Sequence, residues 1–153
     1  MEETTAKDPR LVRVDVIGVP ITATNMDDFM SLLRAGLDGL RGGYVCVSNA
    51  HACVMAHDDP TYWACQAGSV ASIPDGKPLS VVGRKQVPTM GRVTGPDLMR
   101  EVFSISADMG WRHYFYGDRP ETLEALRARL EVEYPHLDIC GMEPSVFRPL
   151  SDE

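Results

Sequence analysis

The chemistry most legible in this sequence lies in Ser69-Val70-Ala71-Ser72-Ile73-Pro74-Asp75-Gly76-Lys77-Pro78. Small and apolar residues run into Pro74, which cannot donate a ladder hydrogen bond and marks the end of a strand. Asp75-Gly76 is a tight-turn pair. Pro78 suits the first turn of a following helix, where a missing N–H costs nothing. The pattern holds one carboxylate, Asp75, at the carboxyl end of a buried strand, the place where open α/β sheets keep their ligands. A carboxylate there can act as a catalytic base. An Asp-Gly pair is equally a common turn signal, so spacing alone leaves both readings standing.

The elements that must position Asp75 follow from periodicity. Leu11 to Ile17 alternates apolar and polar residues, which predicts a strand with one buried face. Gly18 and Pro20 interrupt it, and Ile21-Thr22 resumes it. Thr24 or Asn25 caps a helix with Asp27 and Asp28 in its first turn. Met26, Met30, Leu33, Leu37 and Leu40 carry that helix to Gly42-Gly43. Tyr44 to Ser48 is a continuous apolar run, the mark of a parallel strand buried on both faces. It stops at Ser48-Asn49. Two helices follow, separated by Asp59 as cap and Pro60 at the first helical position. After Asp75 come a short helix over 79–83, a polar loop through Gly91, and a helix entered through Arg92 to Asp97. Arg112 to Tyr116 is an aromatic strand. Gly117-Asp118-Arg119-Pro120 turns it into a helix stopped by Pro135, and Leu137 to Cys140 is a last strand. From Gly141 the chain reads as irregular.

Strands and helices therefore alternate at least four times, which predicts an α/β fold, a Rossmann-like, mostly parallel sheet with helices on both faces. The turns Ser48-Asn49, Asp75-Gly76 and Gly117-Asp118 fall on one edge of such a sheet and suit a ligand site. Residues 11–147 read as one domain between polar tails, 1–10 and 148–153. No G-x-G-x-x-G follows a strand and no P-loop motif is present, which argues against ordinary dinucleotide or P-loop nucleotide binding.

The totals are those of a globular chain: 153 residues, 44% hydrophobic and 24% charged. The net charge is −7 and no run of Lys or Arg offsets it, so nucleic acid is a poor partner. No apolar run approaches a bilayer span, and the acidic start lacks a signal-peptide pattern. Cys46, Cys53, Cys65 and Cys140 form no C-x-x-C pair and read as reduced core thiols, and the four histidines show no metal-ligand spacing. These features fit a cytoplasmic protein without metal or cofactor.

Taken in order, Asn49-Ala50 after a strand, Ile73-Pro74-Asp75-Gly76, Arg92-Val93-Thr94-Gly95-Pro96-Asp97-Leu98, Tyr116-Gly117-Asp118-Arg119-Pro120 and Tyr134-Pro135 resemble the WecG/TagA/CpsF family of bacterial glycosyltransferases. The resemblance runs from about Leu11 to Phe147. It implies transfer of a sugar, of N-acetylmannosamine or hexose type, from a UDP-sugar to a polyprenyl-diphosphate-linked sugar, with inversion at the anomeric carbon and without a metal. The products of such enzymes are units of teichoic acid, common antigen or exopolysaccharide.

On this resemblance Asp75 is the general base. A carboxylate is ionised at neutral pH and can take the acceptor hydroxyl's proton. Arg92 falls to the diphosphate, for which a guanidinium fork is suited. The other reading of Arg92 is a structural ion pair with Asp97. Asn49 bonds a sugar hydroxyl or steadies Asp75, unless it serves only as a helix cap. Gly76 shapes the turn that presents Asp75, and Thr94 and Gly95 shape the backbone around Arg92. Gly117 and Asp118 match a glycine-rich turn whose N–H groups suit phosphate, although the carboxylate of Asp118 works against that. Ser48 is given no role.

Family members usually continue past the last residue of this sequence, with a P-x-Q-E stretch, an R-A-P stretch and a basic, apolar tail used at the membrane. Without them the sheet is expected to be incomplete, with an exposed edge that favours a homo-oligomer. The alternative to an enzyme is a non-catalytic or partner-dependent sugar-nucleotide-binding module. Peripheral contact with the inner face of the membrane is expected, with the amphipathic Leu79–Met90 segment as one means.

Overall fold

A computed structural model describes residues 11–145. The expected tails at 1–10 and 148–153 lie outside them. The chain divides into two compact units, one ending at Met99 and one beginning at Arg100, and each is taken by itself.

The first unit begins with a hairpin. β1 (Arg13–Val16) and β2 (Val19–Thr22) pair antiparallel, with Val16 opposite Val19. Ile21-Thr22, expected to resume the same strand, instead folds back beside it, because a two-residue turn reverses the chain. Ile17 and Gly18 both have positive φ, 51° and 83°, as a primed hairpin turn requires. A β-branched residue is poorly suited to that region. Two side chains hold it there: His57 Nδ1 lies 2.9 Å from the Ile17 carbonyl, and Trp63 Nε1–H donates to the Gly18 carbonyl at 2.8 Å.

α1 (Met26–Arg34) is capped by Asn25, whose Oδ1 accepts from the Asp28 N–H at 2.9 Å. The expected run to Leu40 stops early. The chain leaves the helix at Ala35, Gly36 takes a φ of 118°, and only a 3₁₀ turn over Asp38–Leu40 follows.

β3 (Val45–Ser48) and β4 (Ala71–Pro74) pair in parallel, Val45 opposite Ala71 and Ser48 opposite Pro74. Between them run α2 (Ala50–Asp58) and α3 (Pro60–Gly68), the latter capped by Asp59 with Pro60 in its first turn. All four residues of β4 are buried. β3 differs from the expectation, since Val45 and Val47 are 39% and 43% exposed. β4 is its one hydrogen-bonded neighbour among the described residues, so β3 is an edge rather than a sheet centre. The cysteines are corrected too. Cys53 is buried, Cys46 half-buried, and Cys65 and Cys140 exposed, all four as free thiols. Burial pushes the Cys46 and Cys53 thiols up, towards the protonated form.

The core of this unit is Val14, Val16, Val19 and Ile21 of the hairpin against Cys53 and Ala56 of α2, Leu79 of α4 (Lys77–Gly83) and Met90. Arg13 ties β1 to the end of α3. Its guanidinium donates to the carbonyls of Ala67 at 3.0 Å, of Ser69, and of Gln66 at 3.4 Å. A cation suits that end of a helix.

α5 (Gly95–Met109) begins in the first unit and continues into the second. There β5 (Arg112–Tyr116) pairs in parallel with β6 (Asp138–Glu143), joined through α6 (Pro120–Glu133). β6 runs through Gly141, where an irregular tail was expected. The glycine is required there, because a Cβ on Gly141 would lie 2.3 Å from the Tyr114 ring. Phe103, His113, Phe115 and Tyr134 form an aromatic cluster in this unit.

Candidate active site

Asp75 is the first residue after β4 and is half-buried. Two backbone hydrogen bonds define the edge it stands on. The Asp75 N–H donates to the Ser48 carbonyl at 2.7 Å, so the ends of β3 and β4 lie side by side. The Val93 N–H donates to the Pro74 carbonyl at 2.9 Å, so the segment carrying Arg92 runs along the other side of β4. Asn49, Asp75, Gly76, Arg92, Thr94 and Gly95 are thereby gathered at one end of the first unit.

Three helices begin at that edge: α2 after Asn49, α4 after Gly76, and α5 after Thr94. The Asn49 Oδ1 accepts the Ala52 N–H at 2.9 Å, which makes it the cap of α2. Gly76 has φ 120° and turns the chain from Asp75 into α4. Thr94 caps α5, accepting the Asp97 N–H at 3.3 Å while its hydroxyl donates to the Asp97 carboxylate. Gly95 lies against β3, and a Cβ there would be 3.4 Å from Val47 Cγ1. Cap positions satisfy helix N–H groups, so Asn49 and Thr94 have structural work whatever else they do. Helix N-termini pointing at one place favour a negative ligand.

The two charged residues stand apart from that capping. Neither the Asp75 carboxylate nor the exposed Arg92 guanidinium has a hydrogen-bond or ion-pair partner among the described residues. The alternative reading of Arg92, an ion pair with Asp97, finds no such contact, and Thr94 engages the Asp97 carboxylate instead.

Beneath the edge lies a group that the sequence does not reveal. Ser48, Ser72 and Gln66 are buried together: each serine hydroxyl is 2.7 Å from Gln66 Oε1, and the hydroxyls are 2.7 Å apart. The Ser72 N–H donates to the buried Thr22 hydroxyl at 2.9 Å. Ser48, given no role from sequence, thus joins α3 to the strands that end at Asn49 and Asp75. No sequence signal marks this group, because its members come from separate elements.

Gly117 and Asp118 belong to the second unit. Gly117 has φ 133° and Asp118 φ 60°. The Asp118 Oδ1 accepts the Arg119 N–H at 2.7 Å and the Thr122 hydroxyl at 3.2 Å. Its carboxylate therefore lies beside the start of α6 without capping it, and its charge works against a phosphate there, as the sequence implied. Among the described residues no group of three or more His, Cys, Asp or Glu side chains could hold a metal ion. No helix among them is long and apolar enough to cross a membrane.

Residues 14–153 match the Glycosyl transferase WecG/TagA/CpsF family, and the chain belongs to it. One similar protein is the N-acetylglucosaminyldiphosphoundecaprenol N-acetyl-beta-D-mannosaminyltransferase of Bacillus subtilis (strain 168). It is 22% identical over 125 residues, which cover 80% of this chain and 49% of that protein. The chain thus spans about half the length of this relative.

Proposed function

We propose that this chain is a glycosyltransferase that moves a sugar from a UDP-sugar to a polyprenyl-diphosphate-linked sugar, with Asp75 as the base. The observation that carries the reading is the unpartnered Asp75 carboxylate at the end of β4, beside the Arg92 segment and three helix starts. The relative's name specifies transfer of an N-acetylmannosaminyl group to an undecaprenol-diphosphate-linked N-acetylglucosamine, which supports the acceptor class and a donor sugar of that type.

The chemistry is a single displacement with inversion. The acceptor hydroxyl oxygen attacks the anomeric carbon, and the bond from that carbon to the diphosphate oxygen breaks. UDP leaves with the electron pair, and the hydroxyl proton passes to the Asp75 carboxylate. One base and a means of stabilising the departing diphosphate suffice. Arg92 and the starts of α2 and α5 supply the second.

The test is sugar transfer by the full chain. It uses a panel of UDP-sugars and a short-chain lipid-diphosphate N-acetylglucosamine, with Asp75→Asn as control. Turnover that the substitution abolishes establishes the activity and its base. Transfer that survives Asp75→Asn removes Asp75 from the role. Folded protein that binds UDP and transfers nothing points to the binding-module reading.

A further inference from the structure

Between Asp75 and Asp97 the chain carries Lys77, Arg84, Lys85 and Arg92 and no acidic residue, in a chain of net charge −7. The four cations are separated in sequence and show no basic run. The fold places all four at the surface. On α4, Leu79, Ser80 and Gly83 turn inward, and the helix packs on β1. Gly83 seals that side, since a Cβ there would lie 2.0 Å from the Met90 sulfur. The exposed positions of the helix are Lys77, Pro78, Val81 and Val82, and the turn that follows it exposes Arg84 and Lys85. Val81 and Val82 are 48% and 39% exposed.

The segment after α4 is tied down. Arg84 Nε donates to the Met90 carbonyl at 2.8 Å, Asn25 Nδ2 to the Thr89 carbonyl at 3.3 Å, and the Gly91 N–H to the Thr24 carbonyl at 3.0 Å. Among the described residues Lys77, Lys85 and Arg92 have no ion-pair partner. An acid on the neighbouring strand, Asp15, accepts the Gly18 N–H at 3.2 Å in the hairpin turn.

We propose that the outward face of α4, formed by Lys77, Val81 and Val82 and continued past its end by Arg84 and Lys85 in the following turn, docks the protein on an anionic lipid bilayer. Charge complementarity selects this occupant. An anionic leaflet attracts clustered cations, whereas the rest of this chain carries the same sign as the lipid. Attraction confined to one face also fixes orientation. Valines interleaved with the cations can enter the headgroup boundary, as apolar residues of interfacial helices do. The proposal rests on the reading of Asp75 as acting on a lipid-linked acceptor. α4 starts two residues after Asp75, so a docked α4 brings the base to the level of the headgroups, where the acceptor's diphosphate-linked sugar lies.

The test is co-sedimentation of the full chain with vesicles of phosphatidylcholine alone and of phosphatidylcholine mixed equally with phosphatidylglycerol. Binding to the mixed vesicles only, weakening as salt is raised, is expected. Lys85→Glu changes two units of charge and should lower the partition coefficient about thirtyfold. Val81→Ser with Val82→Ser should weaken binding further. Arg127→Gln with Arg129→Gln, on exposed α6 positions, should leave it unchanged. All variants should keep the parent melting temperature and its transfer to the short-chain acceptor. Equal binding to neutral vesicles, no binding to mixed ones, or indifference to Lys85→Glu overturns the docking face. Absence of transfer with vesicle binding intact counts against the proposed activity and leaves the docking face standing.

Discussion

Two aspartates in this chain occupy the same local position and have opposite surroundings. Asp75 follows β4 and precedes α4; Asp118 follows β5 and precedes α6. Each adjoins a glycine with positive φ, Gly76 at 120° and Gly117 at 133°. Asp118 spends its carboxylate on the Arg119 N–H and the Thr122 hydroxyl. Asp75 engages only its backbone, through the Ser48 carbonyl. The order of glycine and aspartate is the physical difference. With Gly76 after it, Asp75 lies at the strand end and the glycine fills the cap position. With Gly117 before it, Asp118 is carried into the turn, where it bonds the N–H of Arg119 and the side chain of Thr122. A strand–turn–helix signal therefore does not identify a reactive carboxylate; the side of the glycine on which it falls matters.

The contrast is broken most directly by exchanging each acid for its amide. Asp75→Asn should reduce transfer by about 10²–10⁴-fold, the usual contribution of a positioned base, with little change in melting temperature. Asp118→Asn should leave turnover near the parent value. Equal losses in both would end the distinction. Arg92→Ala comes next: loss of a charge-assisted contact to the diphosphate, about 1.5–3 kcal/mol, should raise the KM for the UDP-sugar by roughly tenfold or more. An unchanged KM would remove Arg92 from the phosphate role.

A smaller effect is expected below the edge. Gln66→Leu leaves two buried hydroxyls facing an apolar side chain and should cost about 1–3 kcal/mol, read by urea unfolding. Activity measured below the transition should fall much less.

The second unit supplies the smallest test, through pH. Burial holds the His113 imidazole below its ordinary pKa of 6.5, with the Asp138 charge opposing. Its Nε2 lies 2.7 Å from the Ser106 hydroxyl oxygen, and that hydroxyl donates to the Val102 carbonyl at 2.6 Å. Below pH 6.5 the unfolded chain takes up a proton that the folded one refuses, so stability falls as the pH drops from 6.5 towards the folded value. Urea midpoints at pH 7.5 and pH 5 should show this decline, and His113→Phe should reduce it. A decline of the same size in the variant would assign it to other groups.

Local signals carried most of the element boundaries. Asn25, and Asp59 with Pro60, start helices where their side chains imply, and β5 occupies the residues that its aromatic run marks. Long-range facts were not legible. The reversal at Ile17-Gly18 lacks the usual Asn-Gly or Asp-Gly pair and depends on His57 and Trp63, which lie far along the chain. Gly141 resembles a strand breaker, yet the Tyr114 ring needs its missing side chain. Val45 and Val47 alternate onto one face of β3, and their exposure depends on what covers that face, which composition does not encode. At the site, the pattern from Pro74 to Pro78 located Asp75. Bringing Arg92 beside it required the bond from Val93 to Pro74, which no motif specifies.

The clamp from Arg13 to the end of α3 has a temporal consequence. The hairpin β1–β2 is local and can close as soon as it is made, but its latch to Gln66, Ala67 and Ser69 spans 53 to 56 positions of chain. At roughly 5–20 residues per second of synthesis, the hairpin waits several seconds for its partner. Nascent chains stalled before Gln66 has emerged should leave Arg13 open to protease, and chains stalled once Ser69 is clear should protect it. β1 is thus paired with β2 well before it is fastened to α3.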